Sequence, residues 1–184
     1  MSEIRCCLDV DGVLADLVGA LARVHEVDLG AAPHYPRWPA GAYDLTTALG
    51  KPYAKVWEHP LVTTAGFWRD LALTPWSSDL VEILESRFGK VCLLTGAVRD
   101  PSCAAGKAEW IRAHFPGRPW FVGPSWAKPI LAIRERWLVD DSDENCEAWE
   151  AAGGRAILLP RPWNTAHARA RDPLGAVVAA LLDR

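Results

Sequence analysis

Short apolar runs recur along this chain, separated over its last two thirds by stretches whose apolar residues fall three and four positions apart, and that alternation leaves few folds open. The runs lie at residues 4–9, 90–94, 120–122, 137–139 and 156–159, each short enough to be a buried strand. Between them, residues 79–88 set Leu80, Val81, Leu84 and Phe88 on one helical face, with Gly89 as the stop. Residues 101–115 begin with Asp100 placed to cap and Pro101 at the first helical position, and Pro116-Gly117 ends them. Further helices are expected at 144–152, after Ser142 and Asp143 and before Gly153-Gly154, and at 174–182. Strands joined by helical crossovers predict an α/β protein with a mainly parallel sheet.

Residues 13–75 break this rhythm. They open with a helical pattern (Leu14, Leu17, Val18, Leu21, Val24), pass through a Pro- and aromatic-rich segment at 33–43, and regain helical character at 51–58. No strand of the main sheet is evident there, so the expectation is an insertion folded over the mouth of the sheet immediately after the first strand. A chain of 184 residues is long enough for one well-buried core carrying such a module.

A net charge of -3 gives no field that would draw the protein to a long nucleic acid or an anionic membrane surface. Any phosphorylated ligand would have to be attracted locally, by a metal ion or a few placed cations. No apolar run approaches the roughly 20 residues of a membrane span, and the first residues lead straight into a strand, so the expected location is the cytoplasm. Five cysteines without a Cys-x-x-Cys pair argue against a disulfide framework or structural zinc, and Cys6, Cys7 and Cys92 read as small core residues. Five scattered histidines lack ligand spacing, and most of the ten tryptophans should be core. An exposed tryptophan surface would leave room for a homodimer.

Four segments carry chemistry. The first strand runs into Asp9-Val10-Asp11-Gly12, a pair of carboxylates at the strand end where α/β sheets bind ligands. Their mutual repulsion favours a divalent cation, and Gly12 permits a sharp turn and close approach to a ligand. A surface turn rich in Asp and Gly explains this segment about as well by itself. Leu94-Thr95-Gly96 puts a hydroxyl and backbone N–H groups at a second strand end, suited to phosphate oxygens, although a plain Thr-Gly turn would look the same. Lys128, after the third strand, is a point charge able to hold phosphate. Val139-Asp140-Asp141 offers further hard oxygen ligands, with a helix start directed at them; helix capping accounts for Asp143 but not for this pair.

In this order, each at a strand end, the four segments resemble the motifs of the haloacid dehalogenase superfamily, and the resemblance covers nearly the whole chain. Asp9 to Asp16, Gly66-Phe67-Trp68-Arg69-Asp70-Leu71 followed by Pro75, and Leu138 to Asp141 are more closely similar to the 5′(3′)-deoxyribonucleotidase family. The resemblance implies a three-layer Rossmann-like core at 1–12 and 76–184 with a small helical cap at 13–75. It also implies Mg²⁺-dependent phosphomonoester hydrolysis with Asp9 as nucleophile and Asp11 as general acid and base. Mg²⁺ would be held by Asp9, the backbone carbonyl of Asp11, and Asp140, with Asp141 orienting a bound water, while Thr95, Gly96 and Lys128 would cradle the phosphate. Phe67 and Trp68 are the expected substrate contacts among the aromatics Trp38, Tyr43, Tyr53, Trp57, Phe67 and Trp68, and a nucleoside monophosphate the expected substrate. Another small phosphoester, such as a sugar phosphate or an oligonucleotide's terminal phosphate, is the second expectation. A catalytically silent binding module would lack one of Asp9, Asp11, Lys128 or Asp140, and none is missing. The chain departs from the family at Gly96, where a second hydroxyl residue often stands, and at 33–60, which matches nothing in the family pattern.

Overall fold

The computed structural model describes residues 4–97 and 100–183. Its centre is a sheet of five strands, β1 (Cys6–Asp9), β2 (Val91–Gly96), β3 (Trp120–Gly123), β4 (Trp137–Asp140) and β5 (Arg155–Leu158). They lie in the order β3-β2-β1-β4-β5, and every neighbouring pair is parallel. Each expected strand is present, displaced by at most two residues at either end. β3 differs in environment: as an edge strand it leaves Trp120 and Phe121 exposed, so it is not buried on both faces.

Alternation along the strands feeds two apolar layers. Cys7, Leu94, Leu138 and Ala156 pack on Cys146 and Trp149 of helix α7 (Asp143–Ala151). Cys6, Leu8, Leu93, Val139 and Ile157 face the larger cluster on the other side. That cluster takes residues from α1 (Leu17–Val24), α5 (Ser77–Phe88), α6 (Pro101–His114) and α8 (Pro173–Leu182). Helices on both faces of a parallel sheet make this a three-layer α/β fold. Seven tryptophans (Trp38, Trp68, Trp76, Trp110, Trp137, Trp149, Trp163) are buried, and Trp126 is the most exposed. No helix among the described residues is long and apolar enough to cross a membrane.

The caps follow local sequence. Asp100 accepts from the Ser102 backbone at 2.8 Å with Pro101 opening α6, and the Ser142 hydroxyl accepts from Asn145 at the start of α7. Gly89 ends α5 with φ 79°, a conformation that glycine adopts without steric cost.

Between β1 and α5 the chain forms α1, α2 (Leu45–Leu49), α3 (Tyr53–Trp57) and α4 (Ala65–Arg69). Helical character expected from Leu14 starts only at Leu17, because residues 11–15 form a tight turn in which Leu14 and Ala15 both donate to the Val10 carbonyl. The two ends of this excursion are tied together. Asp16 donates to Ala72 and Thr74 to Leu14, both at 2.8 Å, while the Thr74 hydroxyl and the Trp76 indole both donate to the Val13 carbonyl.

Helix α4 lies directly on α6, and Gly106 makes that approach possible. A Cβ there would sit 2.3 Å from the Ala65 carbonyl oxygen and 2.7 Å from the Trp68 Cβ. Because one of those obstacles is backbone, Gly106→Ala should force the helices apart and cost about 1–3 kcal/mol, as overpacked cores do. Urea denaturation of the two proteins measures the difference; an unchanged midpoint would mean that the contact yields freely.

Candidate active site

β1 lies in the middle of the sheet, so its carboxyl end is flanked by those of β2 and β4, and the chain runs to opposite sides from this point. Asp9 ends β1, Thr95 and Gly96 end β2, and Asp140 ends β4. Lys128 arrives on a 3-10 segment, Ser125–Leu131, that follows β3. Its ammonium donates to Asp9 Oδ1 and to Asp140 Oδ2, each at 2.7 Å. All three side chains are buried.

Asp141 completes an acidic group. Carboxylate oxygens of Asp9, Asp140 and Asp141 all lie within 4.8 Å of one another. Asp140 Oδ1 also accepts from the Ser142 backbone at 3.0 Å, and the Asn145 amide donates to both of its oxygens at 3.1 Å. The Trp163 indole donates to Asp141 Oδ2 at 2.7 Å, and the Asn164 amide to the Asp141 carbonyl at 2.9 Å. Gly12 passes so close that a Cβ would lie 2.1 Å from Asp141 Oδ2, which, with a φ of 75°, excludes any other residue.

Positive charge is short here. Burial first, then the charge of Asp140, raise the Asp9 carboxyl well above the usual carboxylate range against the pull of Lys128. Burial and Asp140 likewise push Asp141 up to about 7. Burial pulls Lys128 down, but Asp140 and Asp9 outweigh it and hold the ammonium above the ordinary lysine range. One ammonium against three buried carboxylates, all presenting hard oxygens, fits a divalent cation such as Mg²⁺.

Asp11 belongs to a separate network. Its Oδ2 accepts from Lys107 and, at 3.2 Å, from the Thr95 hydroxyl, whereas its buried Oδ1 has no hydrogen-bond partner among the described residues. Lys107 also donates to Thr95 Oγ1 at 3.0 Å and to the Gly96 carbonyl, and lies 4.9 Å from the centre of the Trp68 ring. The acidic group that gathers around one point thus contains the Asp141 side chain and not that of Asp11.

A cavity of about 490 Å³ opens over these groups, with Tyr43, Tyr53, Trp57, Trp68 and Trp126 in its walls. A recess of about 100 Å³ adjoins it, lined by Leu17, Trp38, Tyr43 and Trp163. Tyr43 is more than half exposed as a residue, yet burial of its hydroxyl group, then Asp141, Asp140 and Asp9, raise its pKa. Phe67 and Trp68 line different spaces: the Phe67 ring packs edge-on against Trp68 and borders a groove with Arg23 and Leu61, while Trp68 lines the cavity.

The sequence reading missed Lys107, Asn145, Arg161, Trp163 and Asn164. Lys107 carried a signal, because it shares the buried face of α6 with Cys103, Trp110 and Ile111, a lysine on an apolar stripe.

A parallel sheet that brings its acids, a hydroxyl and a lysine to one switch point is the arrangement of haloacid dehalogenase-type phosphatases, and the comparisons agree with that class. The profile of the family described as 5′ nucleotidase, deoxy (pyrimidine), cytosolic type C protein matches residues 3–172, and the chain belongs to that family. It is 26% identical over 183 residues to the cytosolic-type 5′(3′)-deoxyribonucleotidase of Homo sapiens, covering 86% of this chain and 85% of that protein. Two solved structures share the fold. A candidate β-phosphoglucomutase from Thermotoga maritima has a TM-score of 0.52 at 18% identity, covering 96% of this chain and 99% of its own. A hydrolase from Streptococcus pneumoniae TIGR4 has a TM-score of 0.50 at 14% identity, covering 92% and 97%.

Removing Lys128 leaves Asp9 and Asp140 buried without their shared cation. Lys128→Met should therefore destabilise the protein by about 3–5 kcal/mol in the presence of a chelator, the penalty for an uncompensated buried charge. Chemical denaturation with EDTA present reads this directly, and a loss below about 1 kcal/mol, the range of a surface ion pair, would show that the pair is solvated.

Proposed function

We propose that this phosphatase hydrolyses nucleoside monophosphates through an aspartyl-phosphate intermediate on Asp9, with Asp11 moving the proton. The observation that carries this reading is the division between the two aspartates: Asp9 sits in the acidic group with Lys128, and Asp11 in a network that pins Oδ2 and leaves Oδ1 free.

Asp9 attacks phosphorus in line with the leaving oxygen, and the P–O bond to the leaving group breaks as the Asp9–phosphorus bond forms. Asp11 gives a proton to the departing oxygen, releasing the nucleoside. Water then attacks the phosphorus and gives up a proton to Asp11, and the bond from Asp9 to phosphorus breaks, so that phosphate leaves and Asp9 is restored as a carboxylate. Lys107 and Thr95 hold the Asp11 carboxyl in place throughout. Lys128, Thr95 and backbone N–H groups near Gly96 would cradle the phosphate oxygens. Asp9, Asp140 and the Asp11 carbonyl would hold Mg²⁺, with Asp141 close enough to orient a bound water. When bound, the ion would neutralise the charge that repels an anionic substrate from an anionic nucleophile.

The helices between β1 and α5 serve in this reading as a cap that recognises the leaving group. Tyr43, Tyr53, Trp57 and Trp68 offer flat faces for a nucleobase. The name of the human relative supports a deoxyribonucleotide and a cytosolic place of action.

Asp9→Asn should abolish phosphate release from nucleoside monophosphates in Mg²⁺ while the far-UV circular dichroism stays unchanged, and substantial remaining activity would refute the nucleophile assignment. The same assay on the unmutated protein, run over deoxynucleotides, ribonucleotides and sugar phosphates, should favour deoxynucleotides; equal weak rates on all would refute the nucleotide reading. Lys107→Met frees the Asp11 carboxyl and should lower kcat by on the order of 100-fold, the lower range of what acid-base catalysis contributes. An unchanged kcat would separate Lys107 from the proton transfer.

A further inference from the structure

The Arg161 guanidinium is fully buried, and none of its three nitrogens has a hydrogen-bond partner among the described residues. Such a group is costly to bury, and a core that needed only volume would use an aliphatic chain. It is instead held between two indoles, its guanidinium carbon 4.8 Å from the centre of the Trp76 ring and 4.4 Å from that of Trp163.

Both indoles spend their N–H on the site. Trp163 donates to Asp141 Oδ2 at 2.7 Å, and Trp76 donates at 2.9 Å to the Val13 carbonyl, in the turn that carries Asp11 and Gly12. The segment is anchored at a second point, since the Asn164 amide bridges the Asp141 and Leu159 carbonyls at 2.9 and 2.8 Å and its oxygen accepts from the Arg161 backbone. Burial lowers the pKa of Arg161, and Asp141 opposes this more strongly than Asp16 does.

We propose that Arg161 is a positioning residue for the cation site: clamped between Trp76 and Trp163, it fixes the indole that aims Asp141 and lends positive charge without occupying a carboxylate oxygen. A direct salt bridge would take lone pairs on Asp141 that a water at the cation needs, as Lys128 takes lone pairs on Asp9 and Asp140. Stacking through the ring faces delivers charge and rigidity and leaves Asp141 Oδ1 open. This rests on the metal-dependent reading above.

Isothermal titration with Mg²⁺ alone, without substrate, tests it on the wild-type protein, Trp163→Phe, Arg161→Met and the double variant. Trp163→Phe keeps the aromatic ring but removes the N–H, and Arg161→Met keeps volume but removes the charge. Each should weaken Mg²⁺ binding by about 10-fold, the lower range for losing a group that supports a metal site from outside its ligands. The double variant should be little weaker than the weaker single one, because both act through Asp141. If Arg161→Met does not fold, Trp163→Phe decides alone. Variants that bind Mg²⁺ as tightly as wild type, with only a lowered Tm, would reduce Arg161 to packing and overturn the proposal. A wild-type protein that takes up no Mg²⁺ would overturn the metal reading itself, a failure distinguishable from the first.

Discussion

Three carboxylates held out of water against one ammonium set the terms for the rest of this molecule. The parallel sheet delivers two of them, because β1 and β4 are neighbours and both end on an aspartate. Burial at strand ends would drive these groups to neutrality unless donors were brought to them. The surrounding structure supplies those donors: the 3-10 segment carries Lys128 inward, the start of α7 presents Ser142 N–H and Asn145, and the chain after β5 returns to place Trp163. The remaining imbalance is what makes the site receptive to a small hard cation.

The turn after β1 separates two carboxylates that the sequence sets one residue apart. Asp9 stays at the strand end with Asp140 and Lys128, and Asp11 is carried towards β2 and α6, to Thr95 and Lys107. Two similar side chains thereby acquire unlike surroundings, one crowded by like charge and the other anchored through a single oxygen. That asymmetry fits the proposed division of nucleophile and proton carrier between the two aspartates.

The strands and the longer helices were legible because their hydrophobic period is local: β1, β2, β4 and β5 each show a buried run, and α5, α6 and α7 each carry their own cap or stop. Thr95 and Asp140 drew notice because each stands just beyond such a run, and Lys128 because of its place in the order of the four segments. Helices α2 and α4 were not, since five residues are too few to display a 3.6-residue repeat, and their caps Asp44 and Thr64 lie among many other turn-forming residues. Trp163 and Asn145 matter only through the aspartates they touch. For Trp163 the partner lies 22 positions away, a distance that tertiary packing alone closes. The Phe67-Trp68 pair shows the limit of resemblance: adjacent residues on a single helical turn face different grooves, so a shared dipeptide does not fix which ring meets a ligand.

The knot of hydrogen bonds between residues 13–16 and 72–76 has an architectural consequence. Departure and return of the intervening chain are pinned to one turn, so the span between them is attached like a handle fixed at both ends to a single hinge plate. Lengthening, shortening or rebuilding that handle leaves the plate where it is. Changes in the span can therefore reshape the mouth of the cavity and leave the strand ends beneath it as they are.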